Sequence, residues 1–99
     1  MKVIDKSVTD NPQIAEKKGE EIIVISKFKK NIAFKYRFKI DEIQRFKPTF
    51  NESYNLNQFI RTKIKELKLK WFNETEPFYT RIIDSQRCAI SKILNGDLK

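Results

Sequence analysis

Over residues 32–40, apolar and polar positions alternate with a period of two. Phe34, Tyr36, Phe38 and Ile40 fall on one side, and Lys35, Arg37 and Lys39 fall on the other. This predicts a strand with one core face and one cationic face. The preceding stretch, Glu21 to Phe28, is rich in β-branched residues, and Lys29-Lys30-Asn31 supplies a loop between the two runs. Together they read as an antiparallel hairpin.

Further along, the period becomes that of a helix. Leu56, Phe59, Ile60, Ile64, Leu67 and Trp71 follow one stripe, with Asn55 as the capping residue, Gln58 three positions on, and Tyr54 stapling against Phe59. Arg61, Lys65 and Lys68 line an adjacent stripe, which Phe72 continues, while Leu69 points away. A last helix is predicted from Thr75 or Glu76, with Pro77 in its first turn and Gly96 beyond its end. Phe78, Tyr79, Ile82, Ile83, Ala89, Ile90, Ile93 and Leu94 form its apolar face, and Ser85 and Cys88 fall outside it. Gln86 lies in the middle of that face and needs a hydrogen-bond partner, expected to be a local one.

Two short helices complete the pattern. Asp41 caps one that runs to Phe46 and must stop before Pro48. The other sits in residues 1–20, capped by Asp10 or Asn11, begun by Pro12 and stopped by Gly19, in a stretch that reads as a loosely attached arm. The fold class is α+β: an antiparallel β-hairpin packed against two amphipathic helices, with short additional helices, as a single domain over 1–99.

Composition narrows the chemistry. At 99 residues, with 39% hydrophobic and 12% aromatic content, the chain can bury one modest core. It has no histidine, two glycines and a single cysteine, Cys88. That removes histidine acid/base catalysis, Cys/His nucleophile pairs, the usual zinc sites, and any glycine-rich phosphate loop. Neither cofactor nor metal is expected, no small-molecule substrate is implied, and the chain does not read as an enzyme. The apolar runs are too short for a membrane span, the start lacks the apolar stretch of a signal peptide, and the expected compartment is the cytoplasm.

The net charge of +8 is concentrated. Residues 27–47 carry eight Lys/Arg against Asp41 and Glu42, and residues 61–70 carry five against Glu66. Such clustering predicts a positive face for a polyanion. Lys35, Arg37, Lys39, Arg61, Lys65 and Lys68 are the candidate contacts, and the expected function is non-catalytic binding of nucleic acid, DNA ahead of RNA. A structural or protein-interaction module with a basic solvated face is the alternative. A small metal-dependent nuclease is a weaker third, since Glu66-Leu67-Lys68 resembles only the Glu-x-Lys half of such a nuclease motif and is predicted to be helical.

Over residues 34–69, the order of strand, short helix, turn, and then Asn55 to Leu67 resembles the ribbon-helix-helix DNA-binding proteins. The resemblance implies a homodimer whose paired strands enter the major groove, with Lys35, Arg37 and Lys39 facing the bases. It also implies that the Asn55 to Asn57 turn, with Asn55 and Asn57 themselves, anchors a phosphate. In its high charge and its richness in Lys, Ile, Asn and Phe, the chain is similar to small orphan proteins of hyperthermophilic archaeal filamentous viruses. That likeness implies thermostability and, for a viral protein, the host cytoplasm.

Overall fold

The β-branched run Ile22 to Ile25 lies inside a four-stranded antiparallel sheet, as part of β3. The computed structural model describes residues 1–8, 11–27, 33–45 and 52–97. Strands β1 (Lys2–Asp5), β2 (Gln13–Lys18), β3 (Glu21–Lys27) and β4 (Ala33–Lys39) stand in sequence order across the sheet. Helices α1 (Ile40–Arg45), α2 (Glu52–Glu66) and α3 (Tyr79–Asp97) follow. The α+β class holds, with a sheet twice as wide as a hairpin and three helices packed against it. The predicted loop Lys29-Lys30-Asn31, and Phe46 and Pro48 at the predicted end of the short helix, lie outside the described residues.

Residues 1–20 differ most from expectation. No helix forms between Pro12 and Gly19; β1 and β2 are strands of the sheet rather than an arm beside it. Gln13 and Ala15 point inward and are buried, and Ala15 pairs with Val24 of β3. Gly19, at φ 62°, opens a two-residue hairpin turn with Glu20. A glycine at the first central position, followed by a residue with negative φ, suits a type II′ turn and the twist of the flanking strands.

The inward side of β4 behaves as predicted, with Phe34, Tyr36 and Phe38 buried. Phe38 meets Phe59 of α2 edge to face at 5.0 Å, a favoured aromatic geometry. α3 supplies Tyr79, Ile82, Ile83, Ala89, Ile90 and Ile93 to the same core. Its first residue is Tyr79, so Phe78 precedes the helix and is exposed, under the Arg81 guanidinium at 5.7 Å. Gly96 falls within the last turn of α3 instead of beyond it, with Met1 packed close by.

α2 begins at Glu52, three residues ahead of the predicted start. The backbone is already helical there, so the helix extends back past Asn55. Tyr54 therefore falls inside the helix and is exposed, whereas a staple would stand before the cap. At the other end the helix stops at Glu66, and Lys68 adopts a left-handed φ of 54°. That reversal ends the helical register, so Phe72 turns inward at 2% exposure while Trp71 stays 37% exposed, the inverse of the stripe prediction. Phe72 closes a ring cluster with Phe34 at 5.3 Å and Tyr79 at 5.0 Å.

Gln86 is fully buried, with distant partners in place of the local one expected. Tyr36 Oη donates to its Oε1 at 2.6 Å, and its Nε2 donates to Gln13 Oε1 at 3.0 Å. Gln13 Nε2 in turn donates to the carbonyls of Asn11 and Lys27 at 2.7 and 3.1 Å. Ser85, predicted to lie outside the apolar face, is buried and donates to Asp5 Oδ1 at 2.6 Å. Polar side chains thus link β4, α3, β2 and β1 beneath the sheet.

Candidate functional site

Because the helices cover one face of the sheet, the other face is open to solvent. Lys35, Arg37 and Lys39 point to that open face and are exposed. Residues two apart on a strand stand roughly 7 Å apart, so the three cations form an evenly spaced row. None of them has an ion pair among the described residues. β4 is an end strand of the sheet, which places the row along one margin. The backbone N–H of Lys39 donates to Glu42 Oε2 at 2.7 Å, half of a capping box that fixes where β4 ends and α1 begins.

The helix cations occupy a different place. α2 packs against the opposite face of the sheet, through Phe59, so its basic residues do not share a surface plane with the β4 row. Arg61 Nη1 lies 3.4 Å from Glu74 Oε1 and Lys65 Nζ lies 3.9 Å from the same oxygen. The Arg61 guanidinium also stands 5.4 Å from the Tyr79 ring centre. Burial pushes the Tyr79 hydroxyl pKa up, Arg61 opposes this, and Glu74 adds to it. Lys68 is exposed at the left-handed end of α2 and lines a cleft of about 200 Å³ with Lys65, Leu69, Phe72 and Tyr79. Arg61 and Lys65 therefore brace α2 against the loop that holds Glu74.

Asn55 and Asn57 lie within α2 and not in a turn before it, so neither offers the helix-start geometry that a phosphate anchor requires. Asn57 Nδ2 donates to Asp84 Oδ1 at 3.1 Å and ties α2 to α3. Glu66 lies 3.9 Å from Lys63 on the same helix. Among the described residues, no three His, Cys, Asp or Glu side chains are grouped so as to hold a metal ion.

Sequence reasoning missed what surrounds the β4 row. The register sets Ile25, Ile14 and Ile4 in line with Lys35, and Ile23, Glu16 and Lys2 in line with Arg37. Ile14, Ile23 and Ile25 are half-buried, and Ile4 is 46% exposed. Lys18 and Glu21 complete the Lys39 row, and Lys27 lies at the far end of β3. Six cations and two carboxylates thus surround four isoleucines on one face. The signal was present in Ile22-Ile23-Val24-Ile25, an apolar run that fills both faces of a strand.

Comparison with protein-family models, with curated proteins and with solved structures finds no match. Among the described residues, no helix is long and apolar enough to cross a membrane.

Proposed function

We propose that this protein binds nucleic acid, without catalysing a reaction on it, through the open face of the sheet. The observation that carries this reading is the row Lys35, Arg37 and Lys39, three adjacent exposed cations with no ion pair among the described residues. Arg61 and Lys65 contribute less, because Glu74 already holds them. The excess of positive charge on the whole chain, +8, strengthens attraction of a polyanion from a distance. A ribbon-helix-helix dimer would pair β4 with β4 of a second copy. Centred on Arg37, that pairing sets Lys35 opposite Lys39, a like-charge arrangement that disfavours it.

The test is a salt series. Log affinity for DNA should fall linearly with log salt, and Lys35→Glu with Lys39→Glu should reduce the slope by about 0.7 to 0.9 for each phosphate no longer neutralised. Lys70→Glu, an exposed change in the loop after α2, serves as the control. Both sets of changes are on the surface and should leave stability within about 0.5 kcal/mol, checked by circular dichroism. Equal binding by all variants, or no binding at about 50 mM salt, removes the reading.

The second reading, a structural or protein-interaction module, draws on the isoleucines. Ile4, Ile14, Ile23 and Ile25 share the open face, and a second copy of the chain would cover them.

A further inference from the structure

We infer, building on the nucleic-acid reading above, that the ligand of the open face is single-stranded DNA. Its phosphates follow β4 on Lys35, Arg37 and Lys39, and its bases lie over Ile25, Ile23 and Ile14.

Width is the first argument. Adjacent strands stand about 4.8 Å apart, so the backbones of β1 and β4 are about 14 Å apart before any side chain is counted. The major groove of a DNA duplex is about 12 Å wide and takes a helix or a two-stranded ribbon. A four-stranded face cannot enter it. An unpaired strand meets no such limit, because it can lie across a broad surface and turn its bases toward it.

The second argument is the order of chemistry across the face. Passing from the β4 margin inward, Lys35 is followed by Ile25 and then Ile14, and Arg37 is followed by Ile23. A strand of DNA running along β4 would therefore meet cations under its phosphates and aliphatic carbon under its bases. The cation spacing of roughly 7 Å along β4 is comparable with the repeat of an extended sugar–phosphate chain. In a duplex the base faces are stacked inside the helix, and the isoleucines would have nothing to cover.

The third argument concerns the base. Isoleucine offers no hydrogen bond, and its aliphatic surface suits the thymine methyl group. The choice of DNA over RNA thus rests on thymine. A second copy of the chain is the poorer occupant, since face-to-face packing would bring together two surfaces that each carry six cations against two carboxylates.

Fluorescence anisotropy with the full chain tests this, using labelled oligo(dT) and oligo(dU) of about 12 nucleotides and a duplex of the same length. Oligo(dT) should bind at least tenfold more tightly than the duplex. It should also exceed oligo(dU) by about threefold or more, the effect of covering roughly one methyl group. Ile14→Thr with Ile25→Thr keeps strand-forming residues in place. That variant should lose oligo(dT) affinity by about fivefold with the salt slope unchanged, while Lys35→Glu with Lys39→Glu should lower the slope by about 0.7 per phosphate released. Duplex binding as tight as single-strand binding, oligo(dU) matching oligo(dT), or wild-type affinity in the threonine variant overturns this inference and leaves the nucleic-acid reading standing. Failure of every oligonucleotide to bind removes both.

Discussion

Asp5 and Ser85 are eighty residues apart in the chain and share a buried hydrogen bond. Burial pushes the Asp5 carboxyl pKa up, but Ser7 through both its hydroxyl and its N–H, Ser85, and the charge of Lys92 outweigh it and hold the group below the usual carboxylate range. A carboxylate with a depressed native pKa contributes stability above its unfolded value near 3.9 and loses it as pH falls through the native value. Ser85→Ala removes one donor, so it should cost about 2 kcal/mol at neutral pH, where the bond is charge-assisted. The deficit should shrink in acid, once the pH has fallen past the unfolded value near 3.9 and through the lower native value, so that the carboxyl is protonated in both states. Urea midpoints for the variant and the wild type at the two pH values measure it, and an unchanged deficit would mean that Ser85 acts through packing alone. The partners of Gln86 show why such bonds were illegible in the sequence. Its place in the apolar face announced a need for hydrogen bonds, but Tyr36 and Gln13 lie 50 and 73 residues away. Burial pushes the Tyr36 hydroxyl pKa well above its ordinary value, so it remains a donor to Gln86.

At the scale of elements, the readable parts were those in which residue type and period agree. β4 alternates cleanly, and the stripes of α2 and α3 carry large apolar residues at helical spacing. β2 does not announce itself, because its inward positions are Gln13 and Ala15, a polar residue and a small one, and Pro12 and Gly19 imitate helix boundaries. What decides its structure is pairing with β3 on one side and β1 on the other, which no local pattern contains. The inversion of Trp71 and Phe72 has a similar origin, since the helical period could not foresee the left-handed turn at Lys68. These two left-handed positions give opposite predictions. Gly19→Ala meets open space at the new methyl group, so its cost of about 1 kcal/mol comes from the backbone alone. Lys68→Gly relieves the same kind of strain at the end of α2 and should raise stability by about 0.5 kcal/mol. Chemical denaturation of both variants checks the signs, and a stabilising Gly19→Ala would contradict the turn geometry.

For the whole molecule, the open face combines two forces that salt separates. The sequence foresaw its charge, because Lys35, Arg37 and Lys39 alternate with core aromatics. Its isoleucines escaped notice because they come from three strands, two of them hidden in residues 1–20. Charge attracts a polyanion and repels a second copy, whereas the isoleucines favour any dry partner. Screening lengths fall from about 10 Å at 0.1 M salt to about 3 Å at 1 M. Raising the salt should therefore weaken nucleic-acid binding, as bound counterions are no longer released at a gain. The same change should strengthen self-association, because repulsion between the two cationic faces is screened while apolar burial is not. Light scattering after size exclusion, run at about 50 mM and about 1 M salt, should give a mass that moves from monomer toward dimer. Ile14→Thr with Ile25→Thr should abolish that rise, and Lys35→Glu with Lys39→Glu should shift it to lower salt by reducing the repulsion. A dimer already present at low salt and lost at high salt would place the self-association on an ionic surface elsewhere in the fold, leaving the open face to its polyanion.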